Sequence, residues 1–239
     1  MSLKKPEEKL LVDGKRIDGR KANELRKIEM EVGVIPNANG SAKVAFGNTI
    51  VVAAVYGPRT LHPKHLQLYD RALLQCRYNM APFSVEERKS PGPSRRSIEI
   101  SKVTRLALEP AIFLEEYPQT VIDVYIEVIQ ADGSTRVTGI NAASLALADA
   151  GVPMRDLVVA LSGGKIEDTL IIDLCGKEDN YSEADIPLAF MPRNKEITLL
   201  QMDGRLEPKE VKRILKMIVK AGEKVYEEQK KALRGKYEE

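Results

Sequence analysis

Short runs of alternating apolar and polar residues open the folded part of the chain. Residues 28–34 and 42–46 have the two-residue period of half-buried strands, and residues 37–41 between them are typical of a turn. Residues 50–56 are almost continuously apolar, which indicates a strand buried on both faces. We therefore predict an antiparallel meander in this region.

Two helices are predicted further along, each next to a strand. Residues 74–80 and 122–128 alternate as strands. Ser94 has the chemistry of an N-cap for a helix that ends or kinks at Pro110. Residues 137–150 form a second, Ala-rich helix.

The last third of the chain predicts more strands and a long helix. The strands are residues 157–161, 169–174, 188–191 and 197–202. Apolar residues recur at the helical period between positions 211 and 225, with charges on the other face. This order of elements indicates an α+β fold with mixed sheets and packed helices.

Composition restricts how the protein could bind a polyanion. Lys and Arg number 37 against 35 Asp and Glu, so nucleic-acid binding would need a local basic patch. Trp is absent and Phe is scarce, which argues against aromatic stacking as the main binding mode. No stretch is long enough to cross a membrane and the charged residues 1–10 do not resemble a signal peptide. We expect a cytoplasmic protein that does not bind a membrane.

Cysteine and histidine offer little for catalysis. Cys76 and Cys175 lie in separate apolar runs and are interpreted as small core residues in a reducing compartment. His62 and His65 are the only histidines, so a zinc cluster or a Ser-His-Asp triad has little to draw on.

An acidic connection links two of the predicted strands. It contains Glu178, Asp179, Glu183 and Asp185, whose charges repel one another unless a positive group lies among them. A solvated acidic turn is the simpler interpretation of this segment. The alternative is a Mg²⁺ site, because Mg²⁺ binds carboxylates and keeps waters for a phosphate substrate.

Three further segments could hold anions. Arg95 and Arg96 fall in the first turn of the helix after Ser94, as a phosphate site or as a solvated pair that opposes the macrodipole. Residues 57–65 form a loop with basic side chains, either a surface connector or a lip that contacts a polyanion. The third segment consists of Gly133, Ser134, Thr135 and Arg136. It combines a tight turn, a helix start, two hydroxyls and a guanidinium into an anion cradle, without the P-loop pattern.

Six motifs follow one another in the order seen in RNase PH-type phosphorolytic exoribonucleases. They are Arg16-Ile17-Asp18-Gly19-Arg20, Asn39-Gly40-Ser41, Tyr78-Asn79-Met80-Ala81-Pro82-Phe83, Arg95-Arg96, Ala131-Asp132-Gly133-Ser134-Thr135-Arg136 and the Glu178-Asp179 pair followed by Asp185. The chain resembles that family from about Arg16 to its last helix. Within the family, residues 58–65 and 178–185 are most similar to the catalytic ring subunits of the archaeal exosome.

The resemblance implies an RNase PH fold, similar to the second domain of ribosomal protein S5. It has two βαβα-like halves, here residues 16–151 and 152–239, after an N-terminal arm at residues 1–15. It also implies an assembly in which three copies alternate with an inactive paralogue in a six-membered ring, a trimer of dimers. RNA-binding cap subunits would cover one face of that ring.

The same resemblance implies roles for individual residues. Single-stranded RNA would be shortened from its 3′ end by inorganic phosphate, which the cradle of residues 133–136 would hold. Asp179 and Asp185 would bind Mg²⁺ or Mn²⁺ and assist proton transfer, without an indication of which one is the acid. The expected RNA or phosphate contacts are Arg95, Arg96, Arg77, Arg88, Lys64 and His65. Ser134 stands where many RNase PH enzymes have a second glycine, so its hydroxyl has no assigned role.

Two alternatives stay open at this point. One is a homohexameric RNase PH that trims tRNA 3′ ends. The histidine-bearing loop and the segment around Asp179 argue against it. The other is a non-catalytic RNA-binding ring subunit. Asp179 and Asp185 speak against this second alternative, because a protein that only binds RNA gains nothing from negative charge beside it.

Overall fold

The computed structural model of the protein describes residues 9–12, 14–236 and 238. Of the predicted arm, residues 1–8 and 13 lie outside the described residues. The rest of it belongs to a small antiparallel hairpin of β1 (Leu11–Val12) and β2 (Lys15–Arg16). Among all the residues that the structure describes, no helix is long and apolar enough to cross a membrane.

The first large sheet contains the predicted meander. Its strands are β3 (Ile28–Val32), β4 (Gly40–Phe46), β5 (Thr49–Thr60), β6 (Leu73–Met80) and β7 (Thr120–Gln130), in the spatial order β3-β4-β5-β7-β6. All neighbours are antiparallel except β6 and β7, which are parallel. The parallel pair is possible because α1 (Arg95–Leu108) lies in the crossover between them.

Both predicted helices of the first half are confirmed. Helix α1 starts at Ser94, whose side chain and that of Ser97 form a reciprocal capping box. Pro110 follows in a 3₁₀ turn, Glu109–Ala111. Helix α2 (Thr135–Asp149) is buried along almost its whole length and contacts both sheets. Its small residues permit this, since a Cβ on Gly139 would lie 3.2 Å from Ile126.

The second sheet is antiparallel throughout, so mixed pairing is confined to the first. Its strands are β8 (Val159–Ile166), β9 (Thr169–Ile172), β10 (Ala184–Met191), β11 (Glu196–Leu200) and β12 (Asp203–Gly204), in the order β11-β10-β8-β9, with β12 paired to the start of β10. Strand β8 continues beyond the predicted end at residue 161 through two glycines. Gly163 is needed because Ile214 and Ile218 of α4 (Pro208–Gly235) would lie 2.9 Å from a Cβ there.

The acidic connection is not the turn that the local sequence favoured. It contains a short helix, α3 (Gly176–Tyr181), and Asp185 already belongs to β10. A small second core of Leu10, Ile166, Ile171 and Leu174 joins the N-terminal segment to this region. The N-terminal segment therefore packs on the second half of the fold.

Candidate active site

A cavity of about 580 Å³ lies where the two halves meet. Its walls come from α1, the start of α2, α3, the start of β10 and the segment after β11. Six residues predicted from the sequence line it, namely Arg96, Ser134, Thr135, Arg136, Asp179 and Asp185. The acidic connection and the anion cradle, 40 or more positions apart in sequence, thus face one space.

The four carboxylates of the acidic connection have different surroundings. Glu178 is fully buried and forms an ion pair with Arg16, while Glu183 lies 3.6 Å from the ammonium of Lys165. Asp179 and Asp185 form no ion pair within 4 Å in the described part of the chain. Two of the four carboxylates therefore have a cationic partner, and the two without one, Asp179 and Asp185, line the cavity.

Asp185 is the most perturbed acid of the cavity. Its Oδ1 is buried without a hydrogen-bond partner. Burial and the neighbouring carboxylate of Asp179 raise the pKa of Asp185 to about 7. Asp203 faces Asp185 in register across β10 and β12 and raises this pKa further. Asp185 therefore titrates much closer to neutral pH than an ordinary carboxylic acid does.

Asp179 is shifted in the same direction. Burial raises the pKa of Asp179, and the positive charges of Arg96, Arg136 and Arg26 oppose the shift. The two acids therefore share one desolvated site with nearby arginines, which is the environment of groups that transfer protons or bind cations.

The anion cradle depends on an unusual backbone. Gly133 has φ of +73° and a Cβ there would lie 2.6 Å from the carbonyl carbon of Cys175, so this turn stacks directly on the start of α3. Ser134 follows with φ of 55° as the N-cap of α2. Because the first amides of a helix have no intrahelical partner, those of Thr135 and Arg136 are available to an anion.

Hydroxyl groups lock the cradle in place. The Ser134 hydroxyl donates to the carbonyl of Leu174 at 2.8 Å and lies 2.6 Å from the Ser162 hydroxyl. This answers the question that the sequence left about Ser134, whose side chain anchors the turn. The Tyr78 hydroxyl donates to Thr135 Oγ1 at 2.9 Å. Ser162 escaped the sequence analysis, since its segment was taken as the end of a strand.

Arg136 is held by two side chains that the sequence analysis also missed. It donates to Gln201 Oε1 at 2.7 Å and to Glu99 Oε2 at 3.0 Å. Glu99 lies on α1, three positions after Arg96, and Gln201 follows β11. The position of Glu99 on the Arg96 face of α1 was the only local signal that could have indicated this contact.

Comparison with known proteins places the site in a family. Residues 24–153 match domain 1 of the 3′ exoribonuclease family and residues 156–221 match its domain 2. The chain belongs to the 3′ exoribonuclease family. It is 62% identical to the exosome complex component Rrp41 of Pyrococcus abyssi, over 98% of this chain and 95% of that protein. It is 56% identical to the Rrp41 of Methanopyrus kandleri, over 98% of each.

Solved structures share the fold. Rice (Oryza sativa) Rrp46 superposes with a TM-score of 0.83 at 26% identity, covering 92% of this chain and all of that one. A chain of the Archaeoglobus fulgidus exosome with RNA bound to the active site superposes with a TM-score of 0.79 at 24% identity, covering 90% and 92%. The predicted RNase PH fold of this exoribonuclease is confirmed.

The remaining basic residues predicted to contact RNA lie outside the main cavity of the exoribonuclease. Arg95, Arg77 and Arg88 are exposed, and Lys64 and His65 are exposed in a 3₁₀ turn, Lys64–Leu66. None of them lines the cavity that Arg96 lines. Their role as RNA contacts stays a prediction.

The acids of this exoribonuclease fit the expected metal only as a minimal site. No group of three His, Cys, Asp or Glu side chains among the described residues is arranged to hold a metal ion. Asp179 and Asp185 line one cavity, and the unpartnered Oδ1 of Asp185 is a free oxygen ligand. Since Mg²⁺ is commonly bound by one or two carboxylates together with waters and substrate phosphates, the two residues fit it.

Arginines of the first family motif, residues 16–20, hold α3 on the side that faces away from the cavity. Arg16 donates to Glu178 Oε1 at 2.7 Å and to the carbonyl of Ile172 at 2.8 Å. Arg20 and Arg26 bind the carboxylate of Asp173. The arginines of this motif, together with Arg26, therefore fix the helix that carries Asp179. Of these arginines, Arg26 also acts on the pKa of that acid.

Proposed function

We propose that this chain is a 3′-to-5′ exoribonuclease subunit of an exosome complex that degrades RNA by phosphorolysis and releases nucleoside 5′-diphosphates. Its sequence identity of 62% and 56% to exosome complex components of two archaea, over 98% of this chain, supports the exosome assignment. The observation that carries the chemistry is one cavity with an anion cradle on one wall and two perturbed carboxylic acids on another.

Phosphorolysis needs two anions to approach each other. The amides of Thr135 and Arg136, with the Arg136 guanidinium, offer positive potential for inorganic phosphate. Arg96, in the first turn of α1 on the facing wall, can neutralise the scissile phosphodiester. Positive groups that are already in place reduce the cost of the charge that develops in the transition state.

Proton transfer to the leaving oxygen is assigned to Asp185. A phosphate oxygen forms the new P–O bond as the bond from phosphorus to the 3′ oxygen breaks. The proton on Asp185 goes to that oxygen, which leaves as the hydroxyl of the shortened RNA. An acid with a pKa of about 7 is suited to this donation at neutral pH. Mg²⁺ or Mn²⁺ would be held by Asp179, and by Asp185 once it has given up its proton, and would supply Lewis-acid stabilisation of the phosphoryl oxygens.

The proposed assembly is a ring that alternates this chain with an inactive RNase PH-type paralogue, capped by RNA-binding subunits, in the cytoplasm. The name of the relatives supports membership of an exosome complex. The alternative is a homohexamer. Size-exclusion chromatography of the chain alone and with the paralogue separates them, since a stable hexamer of the chain alone would contradict the alternating ring.

Product analysis tests the chemistry. With the partner subunit, Mg²⁺ and RNA, we expect degradation only when inorganic phosphate is present, and nucleoside diphosphates as products. With excess nucleoside diphosphate and little phosphate, the same site should extend RNA 3′ ends, because one phosphate linkage is exchanged for another. Nucleoside monophosphates formed at full rate without phosphate would show a hydrolase and contradict the proposal.

A further inference from the structure

Three side chains form a closed ring of hydrogen bonds beside the anion cradle. Arg136 donates to Gln201 Oε1 at 2.7 Å and to Glu99 Oε2 at 3.0 Å. Gln201 donates to the other carboxylate oxygen of Glu99 at 3.2 Å. The three come from α2, α1 and the segment after β11, so the ring joins separate walls of the site.

The ring neutralises the arginine on which phosphate binding depends. Both terminal nitrogens of Arg136 are engaged, and its Nε is buried without a partner. A phosphate that binds the Arg136 guanidinium with two parallel hydrogen bonds therefore has to replace at least one of these partners. Glu99 is the one that carries the same charge sign as phosphate.

Glu99 is also the partner that can leave most easily. Its side chain is 44% exposed, whereas Gln201, the other partner of Arg136, is half-buried, so water solvates the Glu99 carboxylate as soon as it moves away. Exchange of one carboxylate for a phosphate dianion adds negative charge opposite Arg136 and Arg96, which both line the cavity. The exchange is therefore electrostatically favourable at sufficient phosphate concentration.

We infer that Glu99 is an internal competitor for the phosphate site, whose carboxylate occupies Arg136 until inorganic phosphate displaces it. This inference rests on the proposed phosphorolytic function and adds a residue that sets its phosphate affinity. In the reverse direction the same carboxylate competes with the terminal phosphate of a nucleoside diphosphate. Its return to Arg136 assists release of the diphosphate after degradation.

The test compares Glu99→Gln with the parent chain in the assembled complex at constant ionic strength. The amide keeps the shape and loses the charge, so we expect the KM for inorganic phosphate to fall about twofold to fivefold, the range of a partly exposed ion pair. The KM for nucleoside diphosphate in the reverse reaction should fall by a similar factor. The KM for RNA should change less than the KM for phosphate. Glu99→Asp keeps the charge and should stay nearer the parent.

A matched control is Glu115→Gln. Glu115 pairs with Arg155 at 3.1 Å and is 57% exposed, but it lies outside the cavity. This variant removes a comparable ion pair and should leave the KM for phosphate unchanged. Titration calorimetry with inorganic phosphate on the same three variants measures the affinity without turnover.

The outcomes separate this inference from the proposed function. An unchanged phosphate affinity in Glu99→Gln would show that Glu99 does not compete. A weaker affinity in that variant would show that Glu99 positions Arg136 for phosphate, and either result overturns the inference. If the parent degrades RNA without phosphate, the proposed function itself fails, whatever Glu99 does.

Discussion

The two sides of α3 carry clusters of the same residue types with opposite properties. On one side Arg16 pairs with Glu178 and Arg26 with Asp173, with N–O distances of 2.7 Å. On the other side, Asp179 and Asp185 face the cavity, and no ion pair within 4 Å involves either acid in the part of the chain that the structure describes. Glu178 and Asp179 are neighbours in sequence and point into different clusters.

The difference shows what makes a buried charge chemically useful. Behind α3, each carboxylate has an arginine, so its charge is stabilised and fixed in position. On the side of α3 that faces the cavity, burial without an ion-pair partner raises the pKa of Asp179 and Asp185. The paired cluster holds α3 rigid. This keeps Asp179 of that helix buried beside Asp185 of β10, an arrangement that a flexible loop would relax.

The largest effect is expected from the acids of the cavity. Asp185→Asn removes the proposed proton donor and should lower kcat about 10²- to 10⁴-fold, and Asp179→Asn should abolish degradation similarly. Neither substitution should impair ring assembly or RNA binding, since both side chains lie outside the paired cluster. Single-turnover assays and filter binding measure the two properties. Asp168→Asn, an exposed acid in the β8–β9 turn, is the control. Degradation at the parent rate by either cavity variant would remove that residue from the mechanism.

The paired cluster should respond in stability. Arg16→Met removes the direct partner of the buried Glu178 and leaves it only Arg20, 3.9 Å away, which should lower the free energy of unfolding by about 3–5 kcal/mol. Urea denaturation measures this, with Arg105→Met as the control because Arg105 forms a partly exposed pair with Glu109. The control should cost less than about 1 kcal/mol. Equal losses in the two variants would mean that the cluster behind α3 has no special role.

The unpaired cluster should destabilise the fold at high pH. The pKa of Asp185 is raised to about 7 in the folded chain, against 3.8 for an unperturbed aspartate carboxyl. Between these values the unfolded chain ionises first, so the free energy of unfolding falls as pH rises to about 7. In EDTA, Asp185→Asn should therefore be more stable than the parent by about 1–3 kcal/mol at pH 8, with the gain lost near pH 4. A difference that does not vary with pH would contradict the shifted pKa.

The smallest effect distinguishes the two arginines in the first turn of α1. Only Arg96 lines the cavity, although the sequence predicts a phosphate contact for both Arg95 and Arg96. Arg96→Ala should weaken RNA binding without phosphate by about 1 kcal/mol and reduce the slope of log K against log salt by about 0.7. Arg95→Ala is the comparison. Equal changes in both slopes would show that RNA also contacts Arg95, outside the cavity. No change in either slope would show that both arginines are solvated and do not contact RNA.

Local patterns predicted much of the fold. The period of two predicted strands β3, β4, β6 and β7, and a continuous apolar run predicted β5. Ser94 predicted the start of α1, and the Ala-rich segment predicted α2. These features depend on neighbouring residues, so they can be read without the partner elements. Strand β8 was predicted to end at residue 161, before its two glycines. Close packing accounts for both, because Gly163 lies against α4 and Gly164 lies against Ala184 and Leu174.

The chemical inventory of the site was also determined by the sequence. Two acids, one arginine of the α1 start and the turn-helix cradle were identified as candidates and lie around one cavity. The tertiary structure alone decided which charges are paired. Arg16 and Glu178 are 162 positions apart, Asp203 faces Asp185 through a strand pairing, and Glu99 reaches Arg136 from another helix. A charge acquires its pKa and its role from the groups around it in space, and no local pattern encodes those neighbours.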